Sequence, residues 1–532
     1  MHIETLVVKN FRCLNDVEID FNRELNVIVG NNETGKTTIL EAINLALTCQ
    51  IHGRNIRNEL HPFLFNIAAT DQYLRSLFTE KPQVPPSILI ELYFNDQPEI
   101  AKLKGTNNSK RKDCPGVFID IRLNKDCSQE YREYISNPSE VKSIPVEYYE
   151  VSWSSFANEF ITWRSIGLKS LYIDTVRQRS SLGTNRHVVE FMRTFLSPKD
   201  LAEISLSYRG LRDGFANAPL IQSINELLRD TKGDITEKEL TVALDVLTKN
   251  GWETDVAPHV DAVPVALVGK GEQSAIKLKL AMKKASENAV FLIEEPENHL
   301  TYSNLNKLIS SVRDKASGKQ LIVVTHSSFV LNKLGIHNVI LFDGSNVTTI
   351  QDLRQGDQDY FMKLPGYDTL RLILSKRAIL VEGPSDELIV QKAFLQQYGK
   401  LPLDCGVDVI TVASLAFDRF LEIAKRMKIP TVVVRDNDAK VASLDKKYEV
   451  YSSLSHINIL YDRNEEYPSL EQQLLRVNGR CKLNQLLQRR FEDDLRLLNY
   501  MKDNKTECAL RLFNSKEDVT IPEYIKRAVS NE

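Results

Sequence analysis

Gly30-Asn31-Asn32-Glu33-Thr34-Gly35-Lys36-Thr37 is the stretch from which the rest of this chain is read. The apolar run Val27-Ile28-Val29 leads into it as a strand, and Ile39, Leu40, Ile43 and Leu47 lead out at helical spacing. Glycines at both ends let backbone N–H groups curl around phosphate oxygens, and the start of the helix adds positive potential. In such a P-loop the lysine, here Lys36, reaches the β- and γ-phosphates, and the hydroxyl of Thr37 ligates Mg²⁺. The stretch predicts a bound nucleoside triphosphate.

Three downstream segments fit the same site. Val290-Phe291-Leu292-Ile293-Glu294-Glu295 is an apolar strand ending in carboxylates, which a buried strand delivers rigidly to the edge of a sheet. Glu294 is expected to hold the Mg²⁺ shell, and Glu295 to orient or activate the attacking water. Leu321-Ile322-Val323-Val324-Thr325-His326 is a second strand, tipped by a histidine where a γ-phosphate sensor would sit. Gly269-Lys270-Gly271-Glu272-Gln273-Ser274 opens an amphipathic helix that runs through Met282.

The order of P-loop, glycine-rich signature, acidic strand and histidine strand resembles the ABC-type ATPases. Lys9-Asn10-Phe11-Arg12 and the P-loop itself look most like the RecF/SMC branch of that superfamily, which acts on DNA. The resemblance implies a nucleotide site built from Arg12, Asn31, Asn32, Glu33, Thr34, Gly35, Lys36, Thr37, Thr38, Gly271, Gln273 and His326. It also implies a dimer, in which the signature of one protomer completes the ATP site of another. The chain departs from the family in reading GKGEQ for LSGGQ and in carrying Glu294 where most relatives have Asp.

A second chemical centre lies further on. Leu380-Val381-Glu382-Gly383-Pro384-Ser385-Asp386 sets a carboxylate at a strand end before a turn and a helix, and Val432-Val433-Val434-Arg435-Asp436-Asn437-Asp438 ends a strand in Asp-x-Asp. Parallel strands can bring Glu382, Asp436 and Asp438 to one sheet edge. Clustered carboxylates repel one another unless a divalent cation sits between them, and all-oxygen ligation selects Mg²⁺ or Mn²⁺. This block resembles a Toprim domain. An ABC ATPase followed by Toprim is the layout of the OLD-family nucleases, and LVEGPSDE and VRDNDAK look especially like the nuclease subunit of Gabija anti-phage systems. From that resemblance, Glu471 in Tyr467-Pro468-Ser469-Leu470-Glu471 adds a metal ligand, as does Asp386, and Lys505 stabilises charge developing on the phosphate.

Bulk properties narrow the setting. The chain has 532 residues and a net charge of −3, enough for two to four domains and no global basic surface. Contact with DNA then has to come from local patches, of which Lys110-Arg111-Lys112, Arg426 with Lys428, and Arg489-Arg490 are candidates. Seven scattered cysteines form no CxxC pair, no run approaches a membrane span, and Met1–Thr5 carry no signal-peptide pattern, so a cytoplasmic protein without membrane association is expected.

The composition between about residues 98 and 145 is polar and suggests surface loops and edge strands. Helical spacing over about 185–250, as in Leu220 to Leu228 and Glu237 to Leu247, marks a helical insertion, to which the resemblance gives a role in dimerisation. The reading is an α/β chain. An ABC-type (RecF/SMC-like) ATPase domain over 1–179 and 257–352 is interrupted by a helical insertion over 180–256. A linker over 353–373 then leads to a C-terminal Toprim domain with a parallel sheet over 374–532. The expected activity is an ATP-binding, metal-dependent DNA endonuclease. Its expected partners are double-stranded DNA, a second copy in a homodimer or homotetramer, and a separate UvrD-like helicase subunit. The competing expectation is a non-cleaving DNA-associated ATPase acting as a switch or scaffold.

Overall fold

Alternating apolar residues build the first sheet. In the computed structural model, Ile3–Phe11 and Ile88–Phe94 pair antiparallel with Val7 opposite Glu91. Cys114–Leu123 adds to the far side of Ile88–Phe94 with Glu91 opposite Phe118, and Tyr149–Ser155 pairs with it in turn. The polar composition around residues 98–145 is misleading here. Cys114–Leu123 lies inside the sheet, not at its edge, because Val117, Ile119 and Ile121 alternate along it and are fully buried. The structure describes residues 1–174, 196–229, 240–242, 252, 256–284, 288–298, 300–315, 318–344, 346–350, 354–363, 368–412 and 416–530.

The chain divides into two compact units. The first holds Met1–Phe11, Ile39–Phe65 and Ala69–Val323, and the second holds Arg12–Thr38, Asn66–Ala68 and Val324–Glu532. Beside the antiparallel sheet, the first unit carries a parallel pair, Lys169–Asp174 with Ala289–Glu294, in which Asp174 stands opposite Glu294. Gln320–Val324 lies on the other side of Ala289–Glu294. Gln320 is buried, and its side-chain amide exchanges two hydrogen bonds of 2.8 Å with the backbone of Ile3, one accepted and one donated. That single glutamine ties the antiparallel sheet to the parallel strands.

Of the helical insertion, Pro198–Ala216 and Pro219–Arg229 are helices, the first opened by a reciprocal cap between Ser197 and Asp200. Leu206, Leu211, Leu220 and Leu227 are exposed on them. The helix expected over 237–247 lies outside the described residues except for 240–242. Among the described residues no helix is long and apolar enough to cross a membrane.

In the second unit, the P-loop strand Leu25–Val29 runs parallel to Val339–Phe342, with Val29 opposite Leu341. Within 353–373, Gln355–Lys363 and Thr369–Leu374 are helical, and Thr369 donates a buried hydrogen bond of 2.5 Å to Asn332. A four-stranded, wholly parallel sheet follows, ordered Val407–Thr411, Arg377–Val381, Thr431–Val434, Ile457–Leu460. Its two central strands are short apolar runs, as parallel strands covered on both faces must be. Phe417–Met427 covers one face through Phe417, Phe420, Leu421 and Ala424, at positions i, i+3, i+4 and i+7. Pro384–Tyr398, Lys505–Asn514 and Glu523–Ser530 share a core with Ile379, Val381, Val432 and Val434. Each fully buried leucine or phenylalanine here contributes about 1.5–3 kcal/mol.

Candidate active site

The P-loop is closed by contacts that only glycine permits at two places. A Cβ on Gly30 would stand 2.1 Å from the Phe342 carbonyl oxygen, and one on Gly35, whose φ is +100°, would stand 2.5 Å from Cys13 Sγ. The side chain of Lys36 is buried and curls back over the loop, donating to the Gly30 and Asn31 carbonyls at 3.1 and 2.5 Å. Thr34 Oγ1 also donates to the Asn31 carbonyl, and Thr38 Oγ1 lies 3.4 Å from Cys13 Sγ. Asn31, Asn32 and Glu33 are exposed on the loop, Thr37 is half-buried, and Glu33 has a left-handed φ of 65°. Arg12 is also left-handed, and its carbonyl accepts from Asn66. His326 follows Gln320–Val324 and is exposed, while the Thr325 amide before it donates to the Ile28 carbonyl. A tight glycine-shaped loop, a buried lysine and a following helix, Lys36–Thr48, fit a phosphate chain.

The remaining expected nucleotide residues belong to the first unit. Glu294 ends Ala289–Glu294, is buried, and accepts a 2.9 Å hydrogen bond from Tyr172. Glu295 has φ 42° and accepts from Asn298 at 2.7 Å. Gly271 and Gln273 lie in the first turn of Lys270–Lys284, where Gln273 donates to the Val268 carbonyl.

The second centre is assembled at the C-terminal edge of the four-stranded sheet. Val381 pairs with Val434, so the residues following each strand, Glu382 and the Arg435–Asp438 turn, leave the sheet side by side. Asp386 stands in the first turn of Pro384–Tyr398 and caps it, accepting from the Gly383 amide at 3.0 Å. Glu471 stands in the first turn of Leu470–Leu486. Glu382 Oε2, Asp436 Oδ1 and Glu471 Oε2 are all buried and take part in no hydrogen bond. Lys505 Nζ, the first residue of Lys505–Asn514, lies 3.6 Å from Glu471 Oε1.

These carboxyls perturb one another. Burial, then the charge of Glu382, pushes Asp386 up to about 7. Burial, then Asp386 and Glu471, pushes Asp436 up to about 8, against a hydrogen bond from the Leu470 backbone. Burial also raises Glu382, with Arg435 and Lys505 opposing. Among the described residues no three acidic, histidine or cysteine groups close a preset metal shell. Glu382, Asp436 and Glu471 nonetheless each keep a buried carboxylate oxygen that lacks a donor. Such all-oxygen sites fit a hard divalent cation.

Asp438 is the expected ligand that stands apart. Its carboxylate is 56% exposed and pairs at 3.2 Å with Arg435. Two residues the sequence reading did not single out control this turn. Arg435 is buried, donating to the Asp436 carbonyl, to Tyr448 Oη and to Asp438, and lies over the Phe417 ring at 5.6 Å. Asn437 is fully buried and donates from its amide to the carbonyls of Asp462 and Asn464 at 2.9 Å each, while accepting from the Ala439 amide. Their signal was in plain view: a cation and an amide inside an otherwise acidic turn after an apolar strand.

Comparison with known proteins matches a domain in each half of the chain. Residues 5–239 match the family described as AAA domain, and residues 373–438 match the Overcoming lysogenization defect protein-like TOPRIM domain. The chain is 25% identical over 471 residues to an OLD nuclease of Thermus scotoductus, covering 82% of each chain. It is 20% identical over 492 residues to the endonuclease GajA of Bacillus cereus, covering 87% of this chain and 80% of that one. The SMC head domain from Thermotoga maritima aligns over 66% of this chain and all of its own, at 13% identity and a TM-score of 0.30. The chain thus joins an AAA ATPase domain to an OLD-like TOPRIM domain.

Proposed function

We propose that this chain is an ATP-binding, divalent-metal-dependent DNA endonuclease. The observation that carries the reading is a buried donorless oxygen on each of Glu382, Asp436 and Glu471, carboxyls of three separate elements of which Glu471 and Glu382 both act on Asp436 electrostatically. The names of the two relatives, a nuclease and an endonuclease, support it. Glu382, Asp436 and Glu471 would hold Mg²⁺ or Mn²⁺, with Asp386 and Asp438 completing the acidic surround. When bound, the cation supplies positive charge to a phosphodiester undergoing displacement. Lys505, at the rim beside Glu471, places a second positive charge where the phosphate gains negative charge. Asn437 and Arg435 hold the Asp436–Asp438 turn in place.

At the other centre, the P-loop from Asn31 to Thr38 with Lys36 holds the triphosphate. The resemblance to ABC-type ATPases supports Arg12 and His326 as further nucleotide contacts, Gly271 and Gln273 as contacts to the nucleotide of a second copy, Thr37 and Glu294 as Mg²⁺ ligands, and Glu295 as the residue that orients water. Nucleotide occupancy then regulates cleavage through its differential affinity for two arrangements of the ATPase. The reading extends to a cytoplasmic homodimer or homotetramer with the 180–256 insertion at its interface. It extends further to a role in anti-phage defence alongside a UvrD-like helicase subunit, on the likeness of LVEGPSDE and VRDNDAK to Gabija proteins.

The test is supercoiled plasmid with Mg²⁺ or Mn²⁺, with and without ATP, against Glu382→Ala and a chelator. Nicking or linearisation that needs metal and is lost in Glu382→Ala supports the nuclease. Intact plasmid in every lane, with ATP still turned over, replaces it with a DNA-associated ATPase switch.

A further inference from the structure

A protein of net charge −3 that acts on DNA has to concentrate its cations locally, and the three basic runs differ in how they are held. Arg426 is paired with Glu422 at 2.9 Å, and Arg489 lies over the Tyr500 ring at 5.7 Å. Arg111 and Lys112, by contrast, are exposed, and among the described residues no hydrogen bond or ion pair engages their side chains. They sit on the loop 106–113, which joins Lys104–Gly105 to its antiparallel partner Cys114–Leu123.

This loop is stapled from beneath. Glu91, on Ile88–Phe94, is 2% exposed, and its carboxylate accepts from the Ser109 amide at 2.8 Å, from Ser109 Oγ at 2.5 Å and from Tyr93 Oη at 2.8 Å. Asn108 closes the tip, bonding to the Gly105 carbonyl and to both the amide and carbonyl of Lys112. The Asn107 amide donates to the Phe156 carbonyl, and the Arg111 amide to that of Asn108. Arg111 is thereby held in left-handed backbone at φ 51°, and Lys110 Nζ lies 5.1 Å above the Tyr93 ring.

A solvated charge run needs none of this. Burying a carboxylate under a surface loop is costly unless charge-assisted hydrogen bonds offset it, and here two of the three come from Ser109 of the loop. A loop fixed in advance loses less entropy when its cations meet a ligand. We propose that the loop 106–113 is a contact for the phosphodiester backbone of duplex DNA, made by Arg111 and Lys112 and preorganised by Glu91. The inference rests on the nuclease reading above and supplies it with a phosphate-positioning surface, far in sequence from the acidic centre. Such contacts fix register without reading sequence.

The experiment measures binding of the full-length protein to a labelled duplex of about 30 bp across roughly 50–200 mM salt. Each lost phosphate contact removes about 0.9 from the slope of log affinity against log salt, so R111A/K112A is expected to flatten it by about 1.5–2. Affinity near 0.1 M salt should fall by about 10-fold, with R111K/K112R close to wild type. Glu91→Gln supplies the sharper arm. It removes a negative charge from under the basic tip, so charge counting alone predicts tighter binding, whereas loss of the staple predicts binding at least about threefold weaker. Unchanged slope in R111A/K112A, or tighter binding by a folded Glu91→Gln, overturns the loop while leaving the nuclease reading intact. A wild-type protein that neither binds nor cuts the duplex overturns both.

Discussion

Asp436 holds a charge that the metal-free fold resists. A carboxyl held at about 8, or at about 7 for Asp386, against a usual 3.8, favours the folded chain most while protonated. That stability is present in full below pH ~4 and is lost as pH rises through 7 to 8. The metal-free protein is therefore expected to melt at falling temperature between about pH 4 and pH 8 and to level off above, and saturating Mg²⁺ or Mn²⁺ should cancel the fall. A metal-free profile flat over that range in a thermal scan would show that the carboxyls do not meet as described. Asp436→Asn carries the opposite signs together. It should raise the metal-free melting temperature above pH 8 by about 2–4 °C for each kcal/mol relieved, and weaken Mn²⁺ binding by about 10-fold or more. Calorimetry on one sample of each protein reads both.

At the scale of elements, the Asp-x-Asp turn works because Asp438 and Ala439 both hold left-handed backbone, φ 50° and 55°, which costs an L-residue about 1–2 kcal/mol each. Asn437 offsets this by binding the turn to the 461–468 segment, and Asn437→Ala would leave two carbonyls and an amide without their partner. The expected loss is about 1–3 kcal/mol of stability, with Mn²⁺ affinity falling in step. Retained metal affinity with lowered stability would make Asn437 a purely structural residue.

The same turn shows what sequence could and could not disclose. Glu382 and Asp436 were legible because they follow apolar strands within two residues, so local pattern fixes where they emerge, whereas Glu471 was reached only through the family resemblance. Asn437 was not legible, since its partners Asp462 and Asn464 lie some 25 residues on, in a segment with no periodicity. Ile457–Leu460 escaped notice as a strand for a related reason. It is four residues long and only Ile457 is buried, so its place comes from pairing with Thr431–Val434 and not from its own pattern. Cys114–Leu123 failed the other way, its strict alternation hidden by polar neighbours on both sides.

For the whole molecule, the question is whether two phosphate centres answer to one another. Lys36→Ala removes the buried ammonium from the P-loop and should weaken ATP binding by about 10- to 100-fold, read by titration calorimetry. Under the regulatory reading, plasmid cleavage by this variant no longer changes when ATP is added, whereas wild-type cleavage does. Equal ATP responses in the two proteins would uncouple the centres. Saturating ATP should also raise the wild-type melting temperature in proportion to the logarithm of its concentration, an effect Lys36→Ala loses.

The pairing of Leu25–Val29 with Val339–Phe342 has a consequence in time. The P-loop strand is synthesised about 300 residues before its parallel partner, and at roughly 5–20 residues per second that gap lasts about fifteen seconds to a minute. Throughout it, Val27, Ile28 and Val29, fully buried in the finished fold, have no Val339–Leu341 edge to bind. The nucleotide loop cannot take its final shape on the ribosome until that edge arrives, because the Phe342 carbonyl against which Gly30 packs has not yet been made. A nascent chain stalled before residue 339 therefore carries the whole Gly30–Thr37 motif and no completed phosphate cradle.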